Sequence, residues 1–168
     1  MATATAERSD QKPRQPATAQ WTPKMARTVV GIARADITPP VGIEGCVWGA
    51  STSTQSTGIH RGLSVTAVAM IRQSGAPCYL VTADLIGMSC YECERRIQMT
   101  VADALAVEMD DLLLHSTHTH SAPRVCIHGP VTPGSDLLPA FLDTVIRQLI
   151  DACTRARDGA VEADVTWA

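Results

Sequence analysis

The chain has 168 residues and a formal net charge of −3, with 45% hydrophobic and 18% charged residues. This composition is sufficient to bury a core and excludes a wholly disordered chain or a fibrous repeat. No apolar stretch approaches the roughly 18 residues of a membrane span, and the N-terminus lacks the apolar segment of a secretory signal. We therefore expect one globular unit with no transmembrane segment, located in the cytoplasm or in a compartment that the sequence does not identify. The slightly acidic total, without a Lys/Arg cluster, argues against nucleic acid as a partner.

The chain divides into a tail and a folded domain. Residues 1–27 are rich in Ala, Thr, Gln, Pro and charge without hydrophobic periodicity, a composition that buries too little apolar surface to offset the entropy of ordering. We predict a disordered tail over 1–27 and a domain over 28–168. Met25 is an alternative start, because the first strand-like run, 28–38, begins just after it.

The first half of the domain has the pattern of β-structure. Apolar and β-branched runs predict strands over 28–38, 63–73 and 77–85, and the last two form an antiparallel hairpin around the turn at Gly75. The Gly-, Ser- and Thr-rich stretch 41–62 predicts a long loop, and loops of that length are usually functional or mobile.

The second half alternates helices and strands. Helical spacing predicts helices over 89–107, opened by a Ser89/Glu92 capping box, and over 138–159. The run 112–116 predicts a central strand with helices on both faces, and 161–167 predicts a half-buried strand. The fold class is α/β, a mixed β-sheet layered with helices. Because the last strand stops with the chain, we expect an incomplete N-terminal portion of a larger catalytic domain.

The cysteines are even in number, at 46, 78, 90, 93, 126 and 153. Without an export signal we interpret them as reduced thiols. Cys90 and Cys93 have the spacing of a redox or zinc pair, but no second such pair exists. Thiols on a partly buried helix are the favoured interpretation, and a redox or metal module is the alternative.

Two histidines, His118 and His120, follow the predicted strand 112–116. In an extended chain such residues point to the same face, so both imidazoles can bind a metal, or one binds while the other carries a proton. The carboxyl end of a strand is also where open α/β sheets place their sites. A pair of surface loop histidines is the alternative, since a zinc site needs three or four ligands.

The other three histidines and one aspartate are further candidate site residues. His60 precedes a predicted strand and can reach a common site, whereas His115 is a core or edge histidine within its strand. His128 either faces the same cleft or belongs to a plain loop. Asp84 either orients a histidine as a hydrogen-bond acceptor or caps nearby backbone.

Four segments in order resemble the N-terminal part of the neutral/alkaline, non-lysosomal ceramidases. They are GIARADITPPVG at 31–42, GIH at 58–60, TADLIG at 82–87 and THTHSAP at 117–123. The resemblance runs from about residue 29 to the end of the sequence. The ordered set is far more specific than any one of its members.

The resemblance implies a zinc-dependent amidohydrolase that cleaves the N-acyl bond of ceramide, a lipid-like N-acyl substrate, into sphingosine and a fatty acid. His118 matches the family's zinc ligand. His120 matches a catalytic histidine beside the metal that stabilises the tetrahedral oxyanion, and His60 matches another histidine of that pocket. Zinc would polarise the amide carbonyl or activate the nucleophile.

The chain also departs from the family. Ala122 and Arg124 stand where the family has glycines, which changes backbone freedom and adds a cation at the rim. The family's remaining zinc ligands, a histidine, a glutamate and a tyrosine, and its serine nucleophile match no position here. We therefore expect the 168-residue chain alone to be inactive. A non-catalytic binding module or a truncated remnant of the same fold is the alternative.

Overall fold

Over the residues that the structure describes, the fold is a five-stranded sheet with two α-helices. The computed structural model describes residues 24–45, 52–87, 90–126, 128–129 and 131–167. The strands are β1 (Lys24–Asp36), β2 (Ser64–Ile71), β3 (Cys78–Ala83), β4 (Leu112–Ser116) and β5 (Val161–Trp167). The helices are α1 (Tyr91–Leu105) and α2 (Leu138–Asp158), with short 3-10 turns at Met109–Asp111 and Ser135–Leu137.

The strand order is β4-β3-β2-β1-β5. β1, β2 and β3 are joined by antiparallel pairing, β5 is antiparallel to β1, and β4 is parallel to β3. The predicted hairpin is β2–β3, and its turn uses Gly75 at φ +87°, a conformation that glycine adopts at no steric cost. The parallel pair is joined through α1, as a crossover requires. The predicted α/β class with a mixed sheet is confirmed.

The two faces of the sheet differ in what covers them. One face carries the buried residues of the alternating strands, such as Ala67, Val81 and Leu112, and packs against α1 and α2. The other face stays accessible. There, one residue from each of four neighbouring strands forms an apolar row across the sheet, which comprises Ile32, Val68, Leu80 and Leu113.

The prediction of a central β4 strand covered on both faces is wrong. Among the described residues β4 lies at an edge of the sheet, and the side chain of Leu113 is 64% exposed. An uninterrupted apolar run satisfies a fully covered strand, but it does not exclude a short edge strand whose outer face is bare. Helices cover only the face that Leu112 faces.

The long helix α2 lies close to the sheet because small residues face it. A Cβ on Gly31 would lie 1.8 Å from the carbonyl oxygen of Ala156 and 2.9 Å from Cα of Ala160, distances that no side chain tolerates. Ala33 and Ala35 continue this surface along β1. The glycine is therefore needed for close approach and not for a turn, since its backbone is an ordinary strand.

Two predicted boundaries change. Lys24–Arg27 belong to β1 and not to the tail, because they pair with Asp164–Trp167 of β5; residues 1–23 lie outside the described residues. The first helix has Cys90 as its N-cap, without a side-chain capping bond. Glu92 is therefore the second helical residue and not the third, and Ser89 of the predicted capping box lies outside the described residues.

None of the described helices is both long enough and apolar enough to cross a lipid bilayer.

Candidate functional site

β1, β3 and β4 end at the same edge of the sheet, and the chain segments that follow these three strands meet there. Beyond β4 the ladder continues, since the Thr117 N–H donates to the Ala83 carbonyl at 3.0 Å and the Thr119 N–H donates to the Leu85 carbonyl at 3.2 Å. The TADLIG and THTHSAP segments are thus held side by side. This is the edge at which α/β sheets commonly bind ligands.

His118 has a strained backbone and an anchored ring. Its φ is +60°, a left-handed conformation uncommon for a residue with a Cβ. Its Nδ1 lies 2.5 Å from the carbonyl oxygen of Ile86. A carbonyl can only accept, so Nδ1 carries the proton and donates it. In the neutral ring Nε2 then bears the lone pair, which is the usual arrangement of a metal-binding histidine.

His120 lies next to His118. The two ring centroids are 4.9 Å apart, and the rings meet edge to face at 86°. The sequence predicted that the two residues would project together because the chain is extended, and this reason is wrong. His118 is left-handed and not extended, so the rings approach through a local turn of the backbone.

His60 lines a cavity of about 720 Å³ beside the two histidines' segment. This size is typical of small-molecule sites, which span about 300–1,000 Å³. From the THTHSAP segment, Thr119 and Ser121 line the cavity, whereas His118 and His120 do not. The structure therefore pairs His118 with His120 and sets His60 on a neighbouring surface.

Asp84 also lines this cavity, and its carboxylate serves the backbone. Oδ2 accepts hydrogen bonds from the N–H and the hydroxyl of Ser64, at 2.9 and 3.0 Å, and Oδ1 accepts one from the Thr117 hydroxyl at 3.2 Å. Burial raises the pKa of Asp84, but these hydrogen bonds outweigh it and hold the pKa below its usual value. Of the two predicted roles, the strand-end cap is the one observed.

The sequence predicted that Arg124 adds a cation at the rim, and this prediction is wrong. Its guanidinium lies 2.8 Å from Oε2 of Glu44, and both side chains are largely covered. Gly129 makes room for it, because a Cβ there would lie 2.1 Å from Nη1 of Arg124. Glu44 is in turn fixed by its backbone N–H, which donates to the Gly134 carbonyl at 3.2 Å. The ion pair ties the loop after β1 to the loop after His120, and sequence reasoning missed it.

A second cluster lies at the start of α1. The Sγ atoms of Cys90, Cys93 and Cys126 all lie within 4.8 Å of one another, and Cys93 and Cys126 are buried. These three could hold a metal ion. Within the described ranges they are the one group of three or more metal-binding side chains, so no third such ligand joins His118 and His120. The described cysteines are all free thiols, as predicted, and Cys46 lies outside the described residues.

The remaining two histidines, His115 and His128, lie apart from the pair formed by His118 and His120. His115 is exposed within β4, which makes it an edge histidine. His128 is exposed near Glu92. Hydrogen bonds from the Glu92 N–H and the Cys90 thiol lower the pKa of the Glu92 carboxyl, and the nearby His128 lowers it further. The carbonyl of His128 accepts a hydrogen bond from the Cys126 thiol at 3.0 Å, so this histidine belongs with the cysteines.

Comparisons with known proteins return no similar protein. No protein-family model matches the chain, and no match to it was found among the curated proteins or the solved structures.

Proposed function

We propose that this chain carries part of the active site of a zinc-dependent amidohydrolase of the neutral/alkaline ceramidase type, which hydrolyses the N-acyl bond of a lipid-like amide. His118 would supply one zinc ligand through Nε2. His120 would donate a hydrogen bond to the oxyanion of the tetrahedral intermediate, and His60 would contact the substrate from the adjoining cavity.

The observation that carries this proposal is the anchoring of His118. A surface histidine gains nothing from a left-handed backbone, and a strained residue persists only where its surroundings fix it. Here the Ile86 carbonyl fixes both the ring and its tautomer. Ile86 and His118 belong to two of the four segments that resemble the family, which supports a shared role for these segments.

The described residues do not form a complete zinc site. A catalytic zinc takes three protein ligands, and His118 and His120 are not joined by a third among the residues that the structure describes. The proposal therefore requires ligands from other residues. The same observation favours a second candidate function, a binding module without catalysis in which the histidines and the cavity hold a ligand that is not cleaved.

The test uses the natural polypeptide that contains this chain, assayed for zinc content and for hydrolysis of an N-acyl-sphingosine. We expect His118→Ala to abolish zinc-dependent turnover and His120→Ala to lower the rate while zinc remains bound. His115→Ala is the matched control, since it removes an exposed imidazole three residues away and should change neither quantity.

Each outcome tests a different part of the proposal. Zinc loss of equal size in His118→Ala and His120→Ala would contradict the proposed division of roles. A well-folded natural polypeptide that binds the N-acyl lipid without releasing fatty acid would support the binding module instead. Turnover that survives His118→Ala would refute the assignment of His118.

A further inference from the structure

We propose that Cys90, Cys93 and Cys126 form a thiolate site for Zn²⁺, separate from the histidines. Thiolates are ligands that zinc prefers, and structural zinc sites commonly contain three or four of them. This inference does not rest on the proposed hydrolase. It stands on the position of the three sulfur atoms.

The geometry is close to that of a zinc site. Two ligands of a tetrahedral zinc, each at about 2.3 Å, lie about 3.8 Å apart, and the three Sγ atoms already lie within 4.8 Å. A contraction of about 1 Å at most would thus suffice. Cys90 and Cys93 are the N-cap and third residues of α1, so one helical turn presents both thiols on the same side. Cys126 comes from the loop that follows the histidines.

The neighbours of Cys90 determine the pKa of its thiol. The backbone N–H of Cys93 lowers the pKa of Cys90, but hydrogen bonds with the thiols of Cys93 and Cys126 and with Glu92, together with burial, raise it to about 12. The Cys90 thiol thus holds its proton. A divalent cation reverses this balance, because a thiol that coordinates a metal is deprotonated outright.

The fourth ligand position has a candidate at hand. Oε2 of Glu92 lies 3.3 Å from Sγ of Cys90 and accepts a hydrogen bond from it, and an ionised carboxylate can also ligate zinc at about 2.0–2.2 Å. Water can fill the position equally well. The site would therefore be complete with three thiolates and one oxygen.

Occupancy of this site would order the loop that carries the histidines. Cys126 follows His120 by six residues, so zinc would connect that loop to the start of α1. The ion pair between Arg124 and Glu44 attaches the same loop on its other side. The thiolate site thus has a structural role, comparable to a crosslink between two segments distant in sequence.

The experiment titrates the reduced, metal-free chain with Co²⁺, which takes tetrahedral zinc sites and gives near-ultraviolet absorption when thiolates ligate it. We expect one equivalent of thiolate-bound cobalt, displaced by one equivalent of Zn²⁺. Cys126→Ser and Cys93→Ser should weaken binding at least tenfold. Cys153→Ser is the matched control, a buried thiol outside the cluster, and His118→Ala separates this site from the histidines; both should leave the absorption unchanged.

A second measurement needs no variant and so does not depend on whether a variant folds. Saturating Zn²⁺ should slow the alkylation of Cys90 by iodoacetamide in the unmodified chain while leaving that of Cys78, which is also partly buried, unaltered. Equal rates at Cys90 with and without zinc would overturn the proposal. So would thiolate absorption that is kept in Cys126→Ser or lost in Cys153→Ser.

Discussion

Removing one partner of the Glu44–Arg124 ion pair should destabilise the protein far more than removing both. Glu44 is only 4% exposed, and Oε2 lies 2.8 Å from the guanidinium. Breaking a buried pair on one side leaves an uncompensated charge and costs about 3–5 kcal/mol. Because the Arg124 side chain is still 16% exposed, we take the lower limit, about 3 kcal/mol, for Arg124→Met.

In a protein of this size about 3 kcal/mol corresponds to a fall in Tm of roughly 9 °C, at about 3 °C per kcal/mol. The double variant Glu44→Leu/Arg124→Met replaces the pair with apolar groups, which is often neutral or stabilising. We expect its free energy of unfolding within about 1 kcal/mol of the parent, since the hydrophobic replacement leaves no buried charge.

The assay is urea denaturation of the parent, the two single variants Glu44→Leu and Arg124→Met, and the double variant, analysed as a thermodynamic cycle. Because each single variant should lose about 3 kcal/mol and the double variant at most about 1 kcal/mol, the coupling between the two positions should be about 5 kcal/mol. A loss below about 1 kcal/mol for Arg124→Met, with additive single effects, would refute the reasoning. It would mean that the pair behaves as a solvated surface contact.

Three further predictions concern the sheet and its helix. Asp84→Asn should lower the free energy of unfolding near neutral pH, because the pKa of Asp84 is lowered in the folded protein. This stabilisation is present above the ordinary pKa of about 3.9 and is lost as the pH falls through the folded pKa. The difference in unfolding free energy between parent and variant should therefore shrink in acid and not in base. Gly31→Val should displace the end of α2, since its Cβ would meet Ala156 at 1.8 Å, and thermal denaturation should show a loss of at least about 2 kcal/mol; unchanged stability would mean that the helix yields freely. Burial raises the pKa of Cys153 to about 12, so iodoacetamide at pH 8 should modify it only after unfolding, as mass spectrometry of native and denatured protein would show.

The elements themselves follow from short-range patterns. Alternation along β2 and β3, a glycine at the turn and an apolar stripe along α2 are each contained within about twenty residues, and the structure has all three elements where the sequence predicts them. The position of a strand in its sheet does not follow from such short-range patterns. The run at β4 is compatible with a central strand or an edge strand, and only the cover on its outer face, which other segments would have to supply, distinguishes the two.

The candidate site likewise combines features that the local sequence predicts with contacts between residues distant in sequence, which it does not predict. The pairing of His118 with His120 is predictable from their proximity in sequence, but the left-handed backbone that brings it about depends on the Ile86 carbonyl, 32 residues away. Cys126 joins Cys90 and Cys93 only through the crossover between β3 and β4. Contacts over such separations are set by topology, for which no local periodicity exists.

The left-handed backbone at His118 lowers the stability of the fold at a residue for which we propose a chemical role. Glycine at this position would relieve a conformational cost of order 1 kcal/mol and would leave the strand ladder on both sides intact. A selection for heat resistance alone would therefore favour the loss of the imidazole. The difference in unfolding free energy between His118→Gly and His118→Ala, which keeps the strain, measures the cost of placing a side chain at this backbone conformation.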